Sequence, residues 1–219
     1  MPGVDLMTVN PNLTYEKQLW SCYRYIAGLD EAGRGALAGP VAVGAVILPK
    51  GKARLVRILA GVRDSKQMTP LERDSLAPRI KATALAWSVG FASAEEIDSQ
   101  GIVPATRLAA LRALQGLSIS PEYLLTDFRL ELPQLDISQT SLVKGDAQCL
   151  SIAAASILAK TARDAYMSQL DSEYPNYGLR KHKGYGTQAH RLAMQRWGYS
   201  SIHRKTFSLK SYTLNREDR

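Results

Sequence analysis

The segment Val41–Leu48 (VAVGAVIL) constrains the fold more than any other part of the chain. It is aliphatic and β-branched almost throughout, enters after Gly39-Pro40 and ends at the turn Pro49-Lys50-Gly51. It has no polar/apolar alternation, so it reads as a strand with no wet face, buried on both sides. Such a strand needs a layer of helices above and below it, which makes the chain a layered α/β protein. This run and Ile152–Ala159 are the longest strongly apolar stretches. Both fall far short of the roughly 20 residues that span a bilayer.

The remaining pattern fits that frame. Tyr25–Asp30, Leu85–Ala92, Tyr123–Asp127 and a short Ser141–Lys144 read as further strands, and a Gly/Ala-rich turn covers Ala32–Gly39. Helices are expected at Tyr15–Trp20, Ala53–Leu59, Ala94–Ser99 and Pro104–Gly116. Another is expected at Pro70–Thr83, where Thr69 caps and Pro70 suits the first turn. Gly145-Asp146 opens the longest helix, roughly Cys149–Leu170, whose small face Ala153, Ala154, Ala155 permits close packing. Strands and helices in this order predict a mixed sheet with helices on its faces. With no repeat or linker, 219 residues suit one well-buried core. We divide them into an extension over 1–24, a core over 25–172 and a basic segment over 173–219 packed on that core.

Charge is unevenly spread. Lys and Arg number 28 against 20 Asp and Glu, a net +8 that favours a polyanionic partner. From Tyr174 to Leu214 there is no acidic residue, but eight Lys or Arg, all three histidines (His182, His190, His203) and the aromatics Tyr177, Tyr185, Trp197, Tyr199 and Phe207. A free basic tail rarely carries so many aromatics, whereas a docked surface for nucleic acid does. Cys22 and Cys149 are far apart with no metal-like spacing, so both read as free thiols in a reducing compartment. No basic segment followed by an apolar stretch opens the chain, so a soluble cytoplasmic protein is expected.

Four carboxylates fall where strands end or a helix starts: Asp30, Glu31, Asp127 and Asp146. A carboxylate at the end of a buried strand is costly unless paired or bound to metal. Several sharing one site repel, so a cation or raised pKa values must follow. With no His or Cys at ligand spacing the donors are all oxygen, which suits Mg²⁺ or Mn²⁺ over zinc. Adjacent residues of a regular strand point to opposite faces, so we expect the strand to break or bulge between Asp30 and Glu31. Hard cations beside a basic, aromatic surface are the ingredients of two-metal phosphodiester hydrolysis.

Gly33-Arg34-Gly35-Ala36-Leu37-Ala38 nominally fits a dinucleotide-binding fingerprint, but Pro40 and a strand follow where that motif needs a helix. The glycines instead let the backbone approach a ligand, with Arg34 supplying a forked donor for phosphate or sugar.

The stretch from Tyr25 to Val41, YIAGLDEAGRGALAGPV, resembles the signature of ribonuclease HII. Further motifs follow in that family's order: Asp64-Ser65-Lys66, Lys144-Gly145-Asp146, the run from Ser151 to Asp164, Lys183 to Thr187 with His190, and His203 to Phe207. The resemblance covers about residues 25–208. It implies a ribonuclease H-like fold with a small C-terminal helical segment, and Asp30, Glu31, Asp127 and Asp146 as ligands of two divalent ions, Mn²⁺ or Mg²⁺. It implies that Gly33, Arg34 and Gly35 recognise a ribose 2′-OH and that Tyr185 stacks on the next deoxyribose. Arg34 and the short lead distinguish the chain from the sister family, ribonuclease HIII. The activity implied is an endoribonuclease on RNA–DNA hybrids that also nicks 5′ of single ribonucleotides in duplex DNA, leaving 5′-phosphate and 3′-hydroxyl ends, in ribonucleotide excision repair. Lys66, Lys144 and Lys183 are candidate phosphate contacts, and His190 and His203 read as structural or phosphate-adjacent. No sliding-clamp-binding peptide stands out near the C-terminus and no obligate protein partner is evident, so a monomer is expected. The family usually has glycine after the third acidic residue. Here Phe128-Arg129 follows Asp127, which leaves Asp136 as an alternative ligand.

Overall fold

The computed structural model describes residues 10–127 and 130–207. In chain order the elements are α1 (Thr14–Leu19), β1 (Ile26–Ala32), β2 (Val41–Ile47), α2 (Leu55–Ile58), α3 (Pro70–Thr83), β3 (Ala86–Ala92), α4 (Ala94–Gln100), α5 (Ile102–Gln115), β4 (Tyr123–Asp127), β5 (Ser138–Leu142), α6 (Gly145–Gln148), α7 (Leu150–Glu173), α8 (Leu179–His182) and α9 (Gln188–Trp197). The strands form one mixed sheet in the order β3-β2-β1-β4-β5. β2 is antiparallel to both its neighbours, whereas β1, β4 and β5 run parallel. All seven residues of β2 are buried, as its composition demands. Among the described residues no helix is long and apolar enough to cross a membrane.

The two faces are covered by different helices. Ile26, Val46 and Leu125 pack with Ile152, Ala155 and Ile157 of α7 on one face. Ala27, Leu29, Val43 and Ala45, which alternate with the first set along their strands, pack with Ala105, Ala109 and Ala113 of α5 on the other.

Glycines set how closely α7 lies on the sheet. A Cβ on Gly28 would sit 2.3 Å from the Ser151 carbonyl carbon, and one on Gly44 2.3 Å from the Ala155 oxygen. Both positions face the small-residue side of α7, so helix and sheet backbones touch almost directly. The N-cap expected at Thr69 is present, and Glu72 completes it as a capping box: the Thr69 hydroxyl accepts from Glu72 N–H and the Glu72 carboxylate accepts from Thr69 N–H.

Three expectations need correction. β1 does not break after Asp30, because its pairing with β2 continues regularly through Glu31↔Val43 and Ala32↔Ala42. The fifth strand is Ser138–Leu142, not Ser141–Lys144. It is an edge strand of mostly polar residues, while Lys144 turns the chain with a φ of 53°. Gly145 and Asp146 do not open the long helix. They belong to the single turn α6, separated from α7 by the extended Cys149.

The lead before β1 is tied to the core. Asn12 N–H donates to Gln148 O, and Leu150 N–H donates to Asn12 O. The carboxylate of Glu16 is buried and accepts from Ser151 N–H at 2.8 Å and from the Cys149 thiol at 3.1 Å. It therefore caps the N-terminus of α7 from a distant part of the chain. The basic C-terminal stretch is docked as well, with Leu37 and Ala38 packing on Met167, Tyr177, Leu179 and Met194.

Candidate active site

β1 and β4 are parallel neighbours, and both carry acid at the same end of the sheet. Asp30 and Asp127 follow the paired residues Leu29 and Thr126, so they stand side by side on the α7 face. Regular alternation starts Glu31 towards the opposite face. Even so, one carboxylate oxygen from each of Asp30, Glu31 and Asp127 lies within 4.8 Å of the others. The three carboxylates thus meet although β1 stays regularly paired with β2 through Glu31.

Asp30 is almost completely buried. Burial, then the charge of Glu31, then those of Asp127 and Asp146 push its pKa well above the ordinary carboxylate range, with the nearby Ser156 hydroxyl working the other way. Glu31 is raised by burial, against the pull of Arg34. Asp127 accepts from Gly145 N–H at 2.9 Å, which couples the end of β4 to the turn carrying Asp146. Asp146 lies outside the mutual 4.8 Å group. Its pKa is raised to about 6, by burial first and by Asp64 and Asp127 next.

Asp64 is a carboxylate that sequence reasoning does not select as a site residue, although it opens the Asp-Ser-Lys motif. It lines a cleft of about 420 Å³ with Lys66, Asp127, Lys144 and Asp146. Burial pulls the Lys66 pKa down, but Asp30, Asp146, Asp64 and Glu31 outweigh it and hold the ammonium above its usual range. The turn is moored to α7, where Ser65 Oγ meets Ser156 Oγ at 2.7 Å, and Arg73 donates to Ser65 O and to Asp164. Asp136 is exposed and takes no part in the acidic group. Phe128 and Arg129 lie outside the described residues.

The residues fit a divalent cation. Among the described residues, Asp30 Oδ2 and Glu31 Oε2 are buried without a hydrogen-bond partner, and the donors are all oxygen. Buried carboxylates that repel each other and lack hydrogen-bond donors call for positive charge.

The glycine loop begins where β1 ends. Arg34 approaches Glu31 at 3.8 Å, joining the loop to the carboxylates. The glycines face different surroundings. Gly33 has a φ of 86°, and a Cβ there would fall 1.8 Å from Arg163 Nε, whereas a Cβ on Gly35 would meet nothing within 4 Å. Close approach from outside is thus possible at Gly35, while Gly33 is required by the protein's own interior. Tyr185 is half-buried, with Lys160 Nζ 5.1 Å and Arg163 Cζ 5.3 Å from its ring centre. The Lys183 ammonium donates to Ser168 Oγ, which turns it along α7, and Lys144 is exposed at the cleft.

The three histidines pack together. His190 and His203 are buried, with their Nε2 atoms 3.2 Å apart, and His182 stacks on His190 at 4.3 Å. His203 Nδ1 accepts from Ser200 N–H, so its Nε2 carries the proton and donates to His190 Nε2. His190 Nδ1–H then donates to Tyr185 O. Both rings are neutral in this arrangement, and burial pushes the His190 pKa down to about 4.

Comparison with known proteins agrees with this geometry. The profile of the family described as ribonuclease HII matches residues 27–210. A ribonuclease HII of Desulfitobacterium hafniense is 48% identical over 206 residues, covering 94% of this chain and 77% of its own length. One from Dehalococcoides mccartyi is 52% identical over 184 residues, covering 84% of this chain and 85% of its own. Among solved structures, a chain of the PCNA:RNase HII complex from Archaeoglobus fulgidus superposes with a TM-score of 0.70 at 27% identity, covering 87% of this chain and 98% of that one. With the sheet, the acidic cluster and these relatives in agreement, the chain belongs to the ribonuclease HII family and is a metal-dependent ribonuclease H, an endoribonuclease acting on RNA–DNA hybrids.

Proposed function

We propose that the enzyme cuts the RNA strand of hybrids and also nicks 5′ of a single ribonucleotide embedded in duplex DNA, leaving 5′-phosphate and 3′-hydroxyl ends. The observation that carries this reading is the 3.8 Å approach of Arg34 to Glu31, which sets the Gly33–Gly35 loop against the carboxylate cluster. Asp30, Glu31, Asp127 and Asp146 would hold two divalent ions, Mg²⁺ or Mn²⁺. Such ions, when bound, supply positive charge to the scissile phosphate and lower the pKa of the attacking water.

The chain's own groups do the rest. Gly33, Arg34 and Gly35 read the 2′-OH, and open space beside Gly35 admits the sugar–phosphate backbone. Tyr185 stacks on the following deoxyribose, its ring steadied by Lys160 and Arg163. Lys66 stays protonated among the acids and offsets charge developing on the phosphate. Lys144 and Lys183 contribute to backbone binding, Lys183 after leaving Ser168. We read the setting as cytoplasmic and the task as ribonucleotide excision repair.

The test is a duplex DNA bearing one ribonucleotide, incubated with Mg²⁺, Mn²⁺ or EDTA. A metal-dependent nick 5′ of the ribonucleotide is expected, and Asp146→Asn should abolish it while leaving duplex binding largely intact. Absence of the nick in an enzyme that still cuts long hybrids would remove the single-ribonucleotide activity. Normal turnover by Asp146→Asn would remove that residue from the site.

A further inference from the structure

Two arginines outside the acidic cluster, Arg163 and Arg204, are fully buried. Among the described residues neither forms a salt bridge, and the adjacent Asp164 is taken by Arg73 and Lys160. Their donors end on main-chain oxygens. Arg163 donates to Pro40 O at 2.8 Å, Lys183 O at 3.0 Å and Ala38 O at 3.2 Å. Arg204 donates to Gly39 O at 2.9 Å, Arg34 O at 2.8 Å and Gly33 O at 2.8 Å. Burying a guanidinium without a counter-charge is expensive, and apolar side chains would fill the same space at less cost. Retaining two of them against one loop calls for a task other than packing.

The geometry of the peptide unit indicates that task. In a trans peptide the C=O and N–H point in opposite directions. Arg204 grips the carbonyls of Gly33 and Arg34, whose peptide partners are the N–H groups of Arg34 and Gly35. Neither of those amides donates to a protein acceptor among the described residues, whereas Ala36, Leu37, Ala38 and Gly39 N–H all do. A cation on the carbonyl side also polarises each peptide and strengthens its donor.

We propose that Arg204 is a positioning residue for ribose recognition: it turns and polarises the Arg34 and Gly35 amides towards the substrate, while Arg163 ties the same loop to the segment carrying Tyr185. This rests on the reading that the Gly33–Gly35 loop senses the 2′-OH. Arg163 connects the two halves of the sensor, because it donates to loop carbonyls and to Lys183 O while lying beside the Tyr185 ring.

The experiment compares wild type with Arg204→Lys, Arg204→Ala and Arg163→Lys on a duplex with one ribonucleotide and on the same duplex with a 2′-deoxy-2′-fluoro nucleotide at that place. Arg204→Lys keeps the charge but cannot hold both carbonyls. Its kcat on the ribonucleotide should fall about 100-fold, as when a preorganised donor is lost, and its preference for ribose should shrink. In Arg204→Ala, millimolar guanidinium should restore cutting where the same concentration of urea does not. A folded Arg204→Lys that keeps both kcat and ribose preference overturns the proposal, as does activity that merely tracks the folded fraction. Because these variants can lose stability, the wild type supplies an independent readout. In EDTA, the ¹H–¹⁵N signals of Arg34 and Gly35 should shift on adding the ribonucleotide duplex and stay put with all-DNA duplex. Unmoved signals overturn the proposal. A wild type with no preference for ribose would instead remove the underlying reading.

Discussion

Replacing Gly33 or Gly35 with alanine adds one methyl group in either case, yet the structure predicts opposite outcomes. At Gly33 the φ of 86° is strained for any L side chain, and the new Cβ would lie 1.8 Å from Arg163 Nε and 2.5 Å from its Cζ. Backbone strain costs about 1–2 kcal/mol. Arg163 must also move, which weakens hydrogen bonds to three carbonyls, each worth about 1.5–3 kcal/mol when the donor is charged. The strain together with the loss of roughly half of that bonding comes to about 5 kcal/mol. For a domain of this size that lowers Tm by about 10–20 °C. At Gly35 the φ is not positive and nothing lies within 4 Å. Alanine there should leave Tm unchanged or raise it slightly by restricting the unfolded chain. It should weaken binding of ribonucleotide duplex about tenfold, since one methyl against a close-fitting backbone costs at least about 1.4 kcal/mol. Thermal melts and binding titrations on the two variants decide the matter. A Gly33→Ala protein melting within about 3 °C of wild type would refute the account of that glycine, and unchanged binding by Gly35→Ala would refute the account of the other.

Further expectations follow from groups remote from the cleft. Glu16→Ala leaves Ser151 N–H buried without an acceptor, at a cost of about 2 kcal/mol or about 4–8 °C in Tm. Glu16→Gln keeps an acceptor oxygen and should recover most of that loss, and equal melting of the two variants would deny the capping role. The pKa of His190 is about 4 in the fold against 6.5 for a free histidine. The unfolded chain therefore takes up a proton first as pH falls, so stability is full above about 6.5 and declines towards pH 4, by up to about 3 kcal/mol. Denaturant titrations at pH 7 and pH 5 should show a smaller acid penalty in His190→Gln than in wild type, and equal penalties would deny it. Cys22 is exposed and Cys149 is buried with its thiol pushed well up. A chromogenic disulfide should thus label one thiol in the native protein and both in denaturant, and rapid labelling of both would contradict the burial.

Much of the sheet is legible from residue type, and what is not has physical causes. The doubly buried β2 and the cap at Thr69 are encoded in local pattern, so both appear where expected. β5 is an edge strand of Ser, Gln and Thr, and lacks the apolar run that marks a buried one, so its position is not announced by composition. Asp30, Glu31 and Asp127 converge as expected, but from a regular strand rather than a broken one. Glu31 joins them while still paired with Val43, a convergence that the alternation of a strand does not announce. Arg163 and Arg204 stand out in the sequence only as parts of motifs. Their partners are carbonyl oxygens, which every residue carries, so no side-chain identity announces the pairing. Glu16 escapes sequence reading for a related reason: its partner is the backbone N–H of Ser151, far along the chain.

The close seating of α7 on Gly28 and Gly44 has a metric consequence. At these two glycines the helix meets the sheet backbone with no side chain between, so sliding or rolling there brings backbone against backbone. That same helix presents Ser156 to Asp30 and Arg163 to the Gly33–Pro40 loop, two turns apart or ~10.5 Å along its axis. On the proposed function, the gap between the carboxylates and the Gly33–Gly35 loop would be set by a rod of fixed pitch, and the position of a nick relative to a ribonucleotide would become a length measured by α7.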